Sequence, residues 1–405
     1  MTAQRTHIAA LLLATLLLAT PSQGQPWQQP DSSVTLMFVG DVLGHGAQLK
    51  CAQQPNGTYS YQRCLAPMRE VFALADIVVA NLEVPLGGAP YTGYPSFSSP
   101  DALAIDLQWA GVNVLVTANN HALDRGLKGI QRTSRTLDSL NILHTGTAHS
   151  AQARQTNSPL MLHHNGISIA LLSYTTCMNG PTKHLPPYAV NMADTARIRA
   201  DYQRAKSQGA DEVLMFIHWG EEYQRTENAA QRRLAQWLQA LGIRLVIGCH
   251  PHVLQPLHLT PDTDTQKGQA TIYSLGNFVS NQRWRYSDGG LAIMLRLERR
   301  KGRVCLTHGA AIPFWVSAPM LSNGTKDFRV FPIYHAEATG QRFGSEHADF
   351  AQFAADTRRL LDSAGHGFPE ARYDVFTRTW VLPWQPTPKK IEPITTWNIK
   401  QWKEN

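Results

Sequence analysis

Short apolar runs bounded by turn residues recur along the chain: Val34–Val39, Ile77–Ala80, Val112–Thr117, Ile167–Tyr174, Val213–Ile217, Arg244–Ile247 and Thr271–Leu275. Runs of this length without polar alternation read as strands buried on both faces. Between several of them, apolar residues recur at spacings of three and four, as Leu127, Ile130, Leu137 and Leu140 and then Leu234, Trp237, Leu238 and Leu241, which is the stripe of a helix packed by one side. Strand and helix alternate, so the expected fold class is α/β, with sheets and helices in layers. The polar residues are placed with equal regularity, because each group follows a strand. Gly40-Asp41 follows the first, Asn81-Leu82-Glu83 the second and Asn119-Asn120-His121 the third; His218-Trp219-Gly220, Gly248-Cys249-His250-Pro251-His252 and Gly276-Asn277 follow later ones. Ligands of open α/β sheets bind beyond the carboxyl ends of the strands, so these residues are expected to converge on one cleft, along one edge of one sheet.

Carboxylate, amide oxygen and imidazole gathered in one cleft suit divalent cations of intermediate softness, Mn, Fe or Zn, whereas an all-oxygen set favours Mg or Ca. A pair of such ions activates water and neutralises the attacking and leaving oxygens of an in-line phosphoryl displacement, and it needs a bridging carboxylate. Each residue also has a plainer reading. For Asp41, Asn81 and Asn119 it is a side chain bonded to nearby backbone in a turn or helix cap, and for Asn81 and Asn119 that is the reading taken. His250 and His252 flank a proline in an extended segment, so their rings point the same way and suit a metal. Cys249, at an apolar strand end, reads as a small buried hydrophobe.

The first residues form a three-part secretory leader: a basic residue at Arg5, an apolar stretch from Ile8 to Ala19, and small residues up to Gly24. Residues 1–24 are therefore expected to direct export to the periplasm or the extracellular space, or to hold the chain at the membrane if uncleaved. The formal charge of +7 suits anionic partners such as phosphate esters or a polyanion. Charges of both signs are mixed throughout, without the basic stripe or aromatic platform of a nucleic-acid binder. In an exported chain Cys51 and Cys64, flanking one loop, are the natural disulfide pair. After about Phe314 the pattern changes to a mixed segment ending in Trp380–Trp384 and Trp397–Trp402, read as an extension whose tryptophans pack over the main domain.

With those residues in view, the chain resembles the capsule-synthesis proteins of CapA type, which belong in fold with the calcineurin-like metallophosphoesterases. The resemblance spans roughly Val34 to Trp315. It rests on the ordered set Gly40-Asp41, Asn81-Leu82-Glu83, Ala118 to Gly126, His218 to Tyr223, Gly248 to Gln255 and Tyr273 to Phe278. It implies a metallophosphoesterase-like layered α/β sandwich over residues 33–315, with residues 316–405 as a C-terminal extension packed on it. It further implies a site for two divalent transition metal ions. Asp41 would bind one ion, Glu83 bridge the two, and Asn120 bind the second, with His218, His250 and His252 as imidazole ligands. His121 would lie beside the substrate and hand a proton to the leaving oxygen, oriented by Asp124. Asn81, Asn119, Glu222, Tyr223 and Asn277 would contact substrate or support the ligands.

Two positions depart from the phosphoesterase pattern. Leu43 stands where a metal-binding histidine is expected, with His45 close enough in sequence to substitute, and Glu83 stands where the bridge is usually aspartate. Two accounts of function stay open. One is a metal-dependent hydrolase or transferase acting on a phosphorylated or polymeric anion in the cell envelope, poly-γ-glutamate being the polymer the resemblance implies. The other is an accessory protein that holds the polymer for membrane-bound synthesis proteins without chemistry of its own. No phosphate-binding loop of Gly-x-x-x-x-Gly-Lys-Ser/Thr type is present, so ATP-driven ligation would belong to another chain.

Overall fold

The computed structural model describes residues 32–384; the leader at residues 1–24 and the tryptophans at 397 and 402 lie outside them. In chain order the strands are β1 (Ser32–Val42), β2 (Ile77–Leu82), β3 (Val114–Val116), β4 (Leu143–Thr145), β5 (Leu160–His164), β6 (Ile167–Thr175), β7 (Glu212–His218), β8 (Leu245–Cys249), β9 (Leu257–Thr260), β10 (Gln269–Ile272), β11 (Asn277–Val279), β12 (Gly289–Arg300), β13 (Arg303–Ser317), β14 (Arg329–Pro332), β15 (Gly365–His366), β16 (Arg372–Asp374) and β17 (Thr379–Val381). Every apolar run of the sequence becomes a strand. Two are shorter than the run: the Asn113 amide oxygen takes the Val78 N–H at 2.7 Å ahead of β3, and after β10 the Tyr273 N–H turns to the Pro256 carbonyl at 3.1 Å.

All the strands but β16 and β17, which pair only with each other, divide between two sheets, which corrects the expectation of one. The first runs β14-β13-β12-β1-β2-β3-β4 with β11 beside the end of β1; the second runs β15-β9-β10-β8-β7-β6-β5. In the first, β1 to β4 are parallel, and in the second β6, β7, β8 and β10 are parallel. Period two along each strand sorts the side chains. Val34, Leu36 and Phe38 of β1 meet Leu214 and Phe216 of β7 and Leu245 and Ile247 of β8 between the sheets, with the Phe38 and Phe216 rings 6.4 Å apart. Met37 and Val39 face the other way, into a core closed by the helices Arg69–Phe72 and Ala102–Ala110. Met215, Ile217 and Val246 face outward from the second sheet against the helices Thr195–Ser207 and Ala229–Leu241. The result is a four-layer α/β/β/α sandwich. Because each strand has a sheet on one face and a helix on the other, its apolar pattern is the same whichever sheet it joins, and the division cannot be read from the runs.

The segment after β10 crosses from one sheet to the other. Leu275 N–H donates to the Gly248 carbonyl of the second sheet at 3.1 Å, and Asp41 N–H of the first donates to the Gly276 carbonyl at 3.2 Å. Asp41 then stands opposite Asn277 in the β1–β11 pairing. This approach requires Gly40, whose Cβ, were there one, would sit 1.9 Å from the Gly276 oxygen.

Past β13 the chain reaches both sheets again. β14 pairs with β13 in the first and β15 with β9 in the second. Helix His347–Ala364 lays Phe350 and Phe353 against Trp315 and Phe343. Trp380 is buried in the outer core of the first sheet. Cys51 and Cys64 line one small cavity with Tyr61 and Phe328, but both thiols are free, which corrects the disulfide pairing. Burial pushes both thiols above their ordinary range, which keeps them protonated and poor at exchange. No helix among the described residues is long and apolar enough to cross a membrane.

Placing a methyl group at Gly40 forces the two sheet ends apart. Gly40→Ala is expected to lower stability by about 1–3 kcal/mol, read as a lower midpoint in thermal melting; an unchanged midpoint would contradict the close packing of β1 on Gly276.

Candidate metal centre

At the carboxyl ends of β1, β2, β7 and β8 the buried polar residues come together from both sheets. Asp41 ends the inner part of β1; its Oδ1 accepts from Asn81 Nδ2 at 2.8 Å, and its Oδ2 lies 3.3 Å from His252 Nδ1 and accepts from the His250 N–H at 3.3 Å. Glu83 follows β2, fixed by its N–H to the Val42 carbonyl at 3.1 Å, and neither of its buried carboxylate oxygens has a hydrogen-bond partner. Its nearest basic neighbours are His218 Nε2 at 3.7 Å and His252 Nε2 at 4.0 Å. Asn120 Oδ1 lies 2.9 Å from His218 Nε2. The His218 and His250 rings are 4.5 Å apart and the His250 and His252 rings 6.0 Å. Three sets have donor atoms within 4.8 Å of one another: Glu83, His250 and His252; Cys177, His218 and His250; and Asp41, His218 and Cys249. All six residues read from the sequence as metal ligands are therefore in one cluster.

The protonation of these groups follows from their burial. Desolvation pushes the Glu83 carboxyl well above its usual range, and the nearby Asp41 charge adds to this. Burial also opposes ionisation of Asp41, but the His252 hydrogen bond and charge, with His218 and Asn81, outweigh it and hold that carboxyl low. Burial, then the neighbouring imidazole, lowers His218 well below the ordinary imidazole range and His250 to about 4. A buried carboxyl with no hydrogen-bond donor of its own, 3.7 Å from an imidazole that burial keeps neutral, lacks a hydrogen-bonded positive partner. The donor set fits a divalent cation, which binds carboxylate and neutral imidazole and displaces their protons.

The supporting residues are set behind this cluster. Asn81 and Asn119 are not turn or cap formers, which corrects that reading. Asn119 Nδ2 donates to Asn81 Oδ1 at 3.3 Å and to the Leu82 carbonyl at 2.8 Å, and Asn81 in turn donates to Asp41, so the pair aims the Asp41 carboxylate. Asn277 Oδ1 sits 3.0 Å from His252 Nδ1 while its Nδ2 donates to the Ser287 carbonyl at 2.7 Å; the amide oxygen thereby accepts a hydrogen bond from Nδ1–H and leaves the His252 Nε2 lone pair free for a cation. His121 Nδ1 bonds Asp124 Oδ2 at 2.8 Å, and that oxygen also accepts from the Phe97 N–H at 2.8 Å. Tyr223 is 41% exposed, its ring 5.8 Å from His252, so it stands at the rim. Glu222 is exposed but near enough for its charge to raise the Glu83 carboxyl and the Cys177 thiol.

His45 does not take the place left by Leu43. Its Nδ1 is 3.1 Å from Gln48 Oε1 and accepts from the Asn281 N–H at 3.2 Å, as the cap of helix Gly46–Ala52, and Leu43 is buried in the outer core. Two cysteines that the sequence reading passed over are present instead. Cys249 Sγ is 3.3 Å from His218 Nδ1, so it is more than a small hydrophobe, and Cys177 Sγ is 3.7 Å from His250 Nε2. Cys177 follows β6 as the other groups follow their strands, and this placement is the signal that could have found it.

The ligand loop after β8 is held under backbone strain. His250 has φ 100° and His252 φ 60°, and in the loop after β7 Tyr223 has φ 64°, a region that side chains with a Cβ rarely adopt. Such strain is found where the surrounding structure imposes a geometry for function.

A layered α/β sandwich whose strand ends gather a donor set fit for a divalent cation defines the class of protein. Within it, the chain belongs to the family described as bacterial capsule synthesis protein PGA_cap, which it matches over residues 35–282. It is similar to the PGA biosynthesis protein CapA of Bacillus subtilis, at 28% identity over 76% of this chain and 73% of that one. The capsule biosynthesis protein CapA of Bacillus anthracis is 27% identical over 69% of this chain and 68% of the relative. The solved calcineurin-like phosphoesterase YfkN of Bacillus subtilis superposes with a TM-score of 0.43 at 12% identity, over 82% of this chain and 99% of that one, too loosely to carry an argument.

Two outcomes follow for the metal-free protein. His250→Gly is expected to be more stable than His250→Ala by about 1 kcal/mol, because only glycine accepts that backbone without strain; equal melting points would show that the φ is not imposed. The imidazoles' contribution to the pH dependence has a definite sign. The folded protein keeps His250 neutral down to about 4 where the unfolded chain takes up a proton near the ordinary 6.5. This stability is thus present above 6.5 and lost as pH falls towards 4, with His218 acting in the same direction. Glu83, whose carboxyl is raised, works the other way over the same range, so thermal melting of chelator-treated Glu83→Gln protein across that window measures the imidazole effect, and a flat profile would contradict it.

Proposed function

We propose that this chain is an exported, metal-dependent hydrolase or transferase that acts on a phosphorylated or polymeric anion during capsule synthesis in the cell envelope. The observation that carries the reading is Glu83, a buried carboxyl with both oxygens unpartnered and imidazoles on two sides. Asp41, Glu83 and His252 would hold one cation, and Glu83, Asn120, His218 and His250 a second, of Mn, Fe or Zn type. Bound there, the cations would supply the charge that polarises a substrate oxygen and makes water nucleophilic at neutral pH. The remaining work falls to the protein's own groups. Asp124 accepts a hydrogen bond from His121 Nδ1–H and fixes the ring, so that Nε2 is the atom that moves a proton to or from the leaving oxygen. The Phe97 ring, 4.7 Å from the His121 ring and edge-on to it, holds the imidazole from the other side. The net positive charge of the chain favours an anionic polymer, and the names of its relatives favour poly-γ-glutamate or a related capsule polymer.

A second reading is supported by Leu43 and the rim. With Leu43 in place of a ligand, the site has one imidazole fewer than an ordinary phosphoesterase. The exposed Tyr223 and Trp284, with rings 5.0 Å apart, offer a surface on which a polymer could rest. On this account the cleft holds polymer for membrane-bound synthesis proteins without chemistry.

The two readings part on mutation. With Mn, Fe or Zn, the full-length protein is expected to hydrolyse a model phosphodiester. His121→Ala should lower turnover by about 10²–10⁴-fold with metal content unchanged, and Glu83→Gln should lose both metal and turnover. Wild-type protein that binds none of these metals and stays inert in their presence defeats the enzymatic reading. Variants that lose polymer production while still binding polymer defeat the holding one.

A further inference from the structure

We propose that Cys177 is a thiolate ligand of the metal centre, joining His218 and His250 at the second cation position. The inference rests on the reading of the cluster as a metal centre and adds a donor that the resemblance does not supply. Cys177 lies in the loop after β6, one strand away from His218 in the same sheet, and the chain there is fixed on both sides. Thr176 N–H donates to the His218 carbonyl at 2.9 Å, and Cys177 N–H donates to Thr175 Oγ1 at 3.3 Å. This brings the sulfur 3.7 Å from His250 Nε2 and within 4.8 Å of the His218 donor. A sulfur at about 2.3 Å and an imidazole nitrogen at about 2.0 Å from one ion, at the tetrahedral angle, stand about 3.5 Å apart. The observed spacing is therefore that of two ligands of one ion.

Cys249 is chemically similar but differently placed. Its sulfur meets His218 at Nδ1, whereas His218 Nε2 is the nitrogen turned towards Asn120 and Glu83. Asn81 Nδ2, also near His218 Nδ1, is a donor committed to Asp41, which leaves the Cys249 sulfur to accept the Nδ1 proton. Cys249 thus orients His218 from behind, and Cys177 faces the ion. A thiolate donor shifts preference towards Zn, Fe and Co and away from Mg and Ca. On binding, the Cys177 thiol gives up its proton to solvent and a sulfur–metal bond forms, with no change in oxidation state.

Cobalt(II) reports this ligand directly. Full-length protein titrated with Co²⁺ is expected to show its d–d bands together with an intense near-ultraviolet sulfur-to-cobalt charge-transfer band. Cys177→Ser should keep the d–d bands and lose the charge-transfer band, while Cys249→Ser should keep both. Zinc-edge X-ray absorption of the wild-type protein is expected to require one sulfur at about 2.3 Å, a measurement that stands even if a variant fails to fold. Cobalt or zinc bound with nitrogen and oxygen scatterers alone, or a charge-transfer band that disappears with Cys249→Ser instead, overturns the assignment and leaves the metal centre standing. Absence of any cobalt or zinc binding overturns both.

Discussion

A carboxyl group buried without a hydrogen-bond donor is costly in either protonation state, and a fold keeps one only where something positive is brought to it. Glu83 is that group, and the arrangement around it is organised by this requirement. The backbone of β1 fixes its position through Val42, the ends of β7 and β8 deliver the imidazoles, and Asn120 comes from the loop after β3. None of these segments is close to the others in sequence. What brings them together is that two sheets with parallel central strands stack face to face and end on the same side.

The stacking explains what could be read from the sequence and what could not. Seven strands were legible because they coincide with apolar runs, and the site residues because each follows one of these, whereas strands with polar residues such as β5 and β9 were not. The number of sheets was not legible, since a strand covered by a helix and a strand covered by another sheet need the same side chains. Cys177 and Cys249 show a different limit. A cysteine that faces an imidazole and one that fills a core are alike in type; for Cys177 its place after β6 is a signal, but for Cys249, inside an apolar strand end, only the 3.3 Å contact makes the distinction. The same holds for Asn81 and Asn119, residue types that suit a turn but here pass their hydrogen bonds inward to Asp41. His45 fell the other way, since its neighbour Gln48 gives it a capping task that proximity to Asp41 in sequence does not reveal.

The site also carries local costs. His250 and His252 occupy positive φ, and His218 and His250 are kept neutral against their ordinary tendency to take up a proton. These are tolerated because the rest of the sandwich is conventionally packed, with a continuous apolar core on each face of both sheets. Supporting groups then fix what the ligands need. Asn277 sets the tautomer of His252 and Asp124 that of His121, each through one bond of 3.0 Å or less.

The stretch past β13 has a consequence for how the molecule meets its neighbours. An open sheet presents its outermost strand as a row of unpaired amides and carbonyls on which another chain can assemble. Here that row is shortened on one side of each sheet. In the first sheet the 15-residue β13 is followed at the margin by the four-residue β14, which ends in Pro332. In the second, β9 is followed by β15, only two residues long. Strands this brief, one of them closed by a residue without an N–H, offer little on which to extend a sheet. On that side of each sheet the chain is thus guarded against edge-to-edge association with copies of itself.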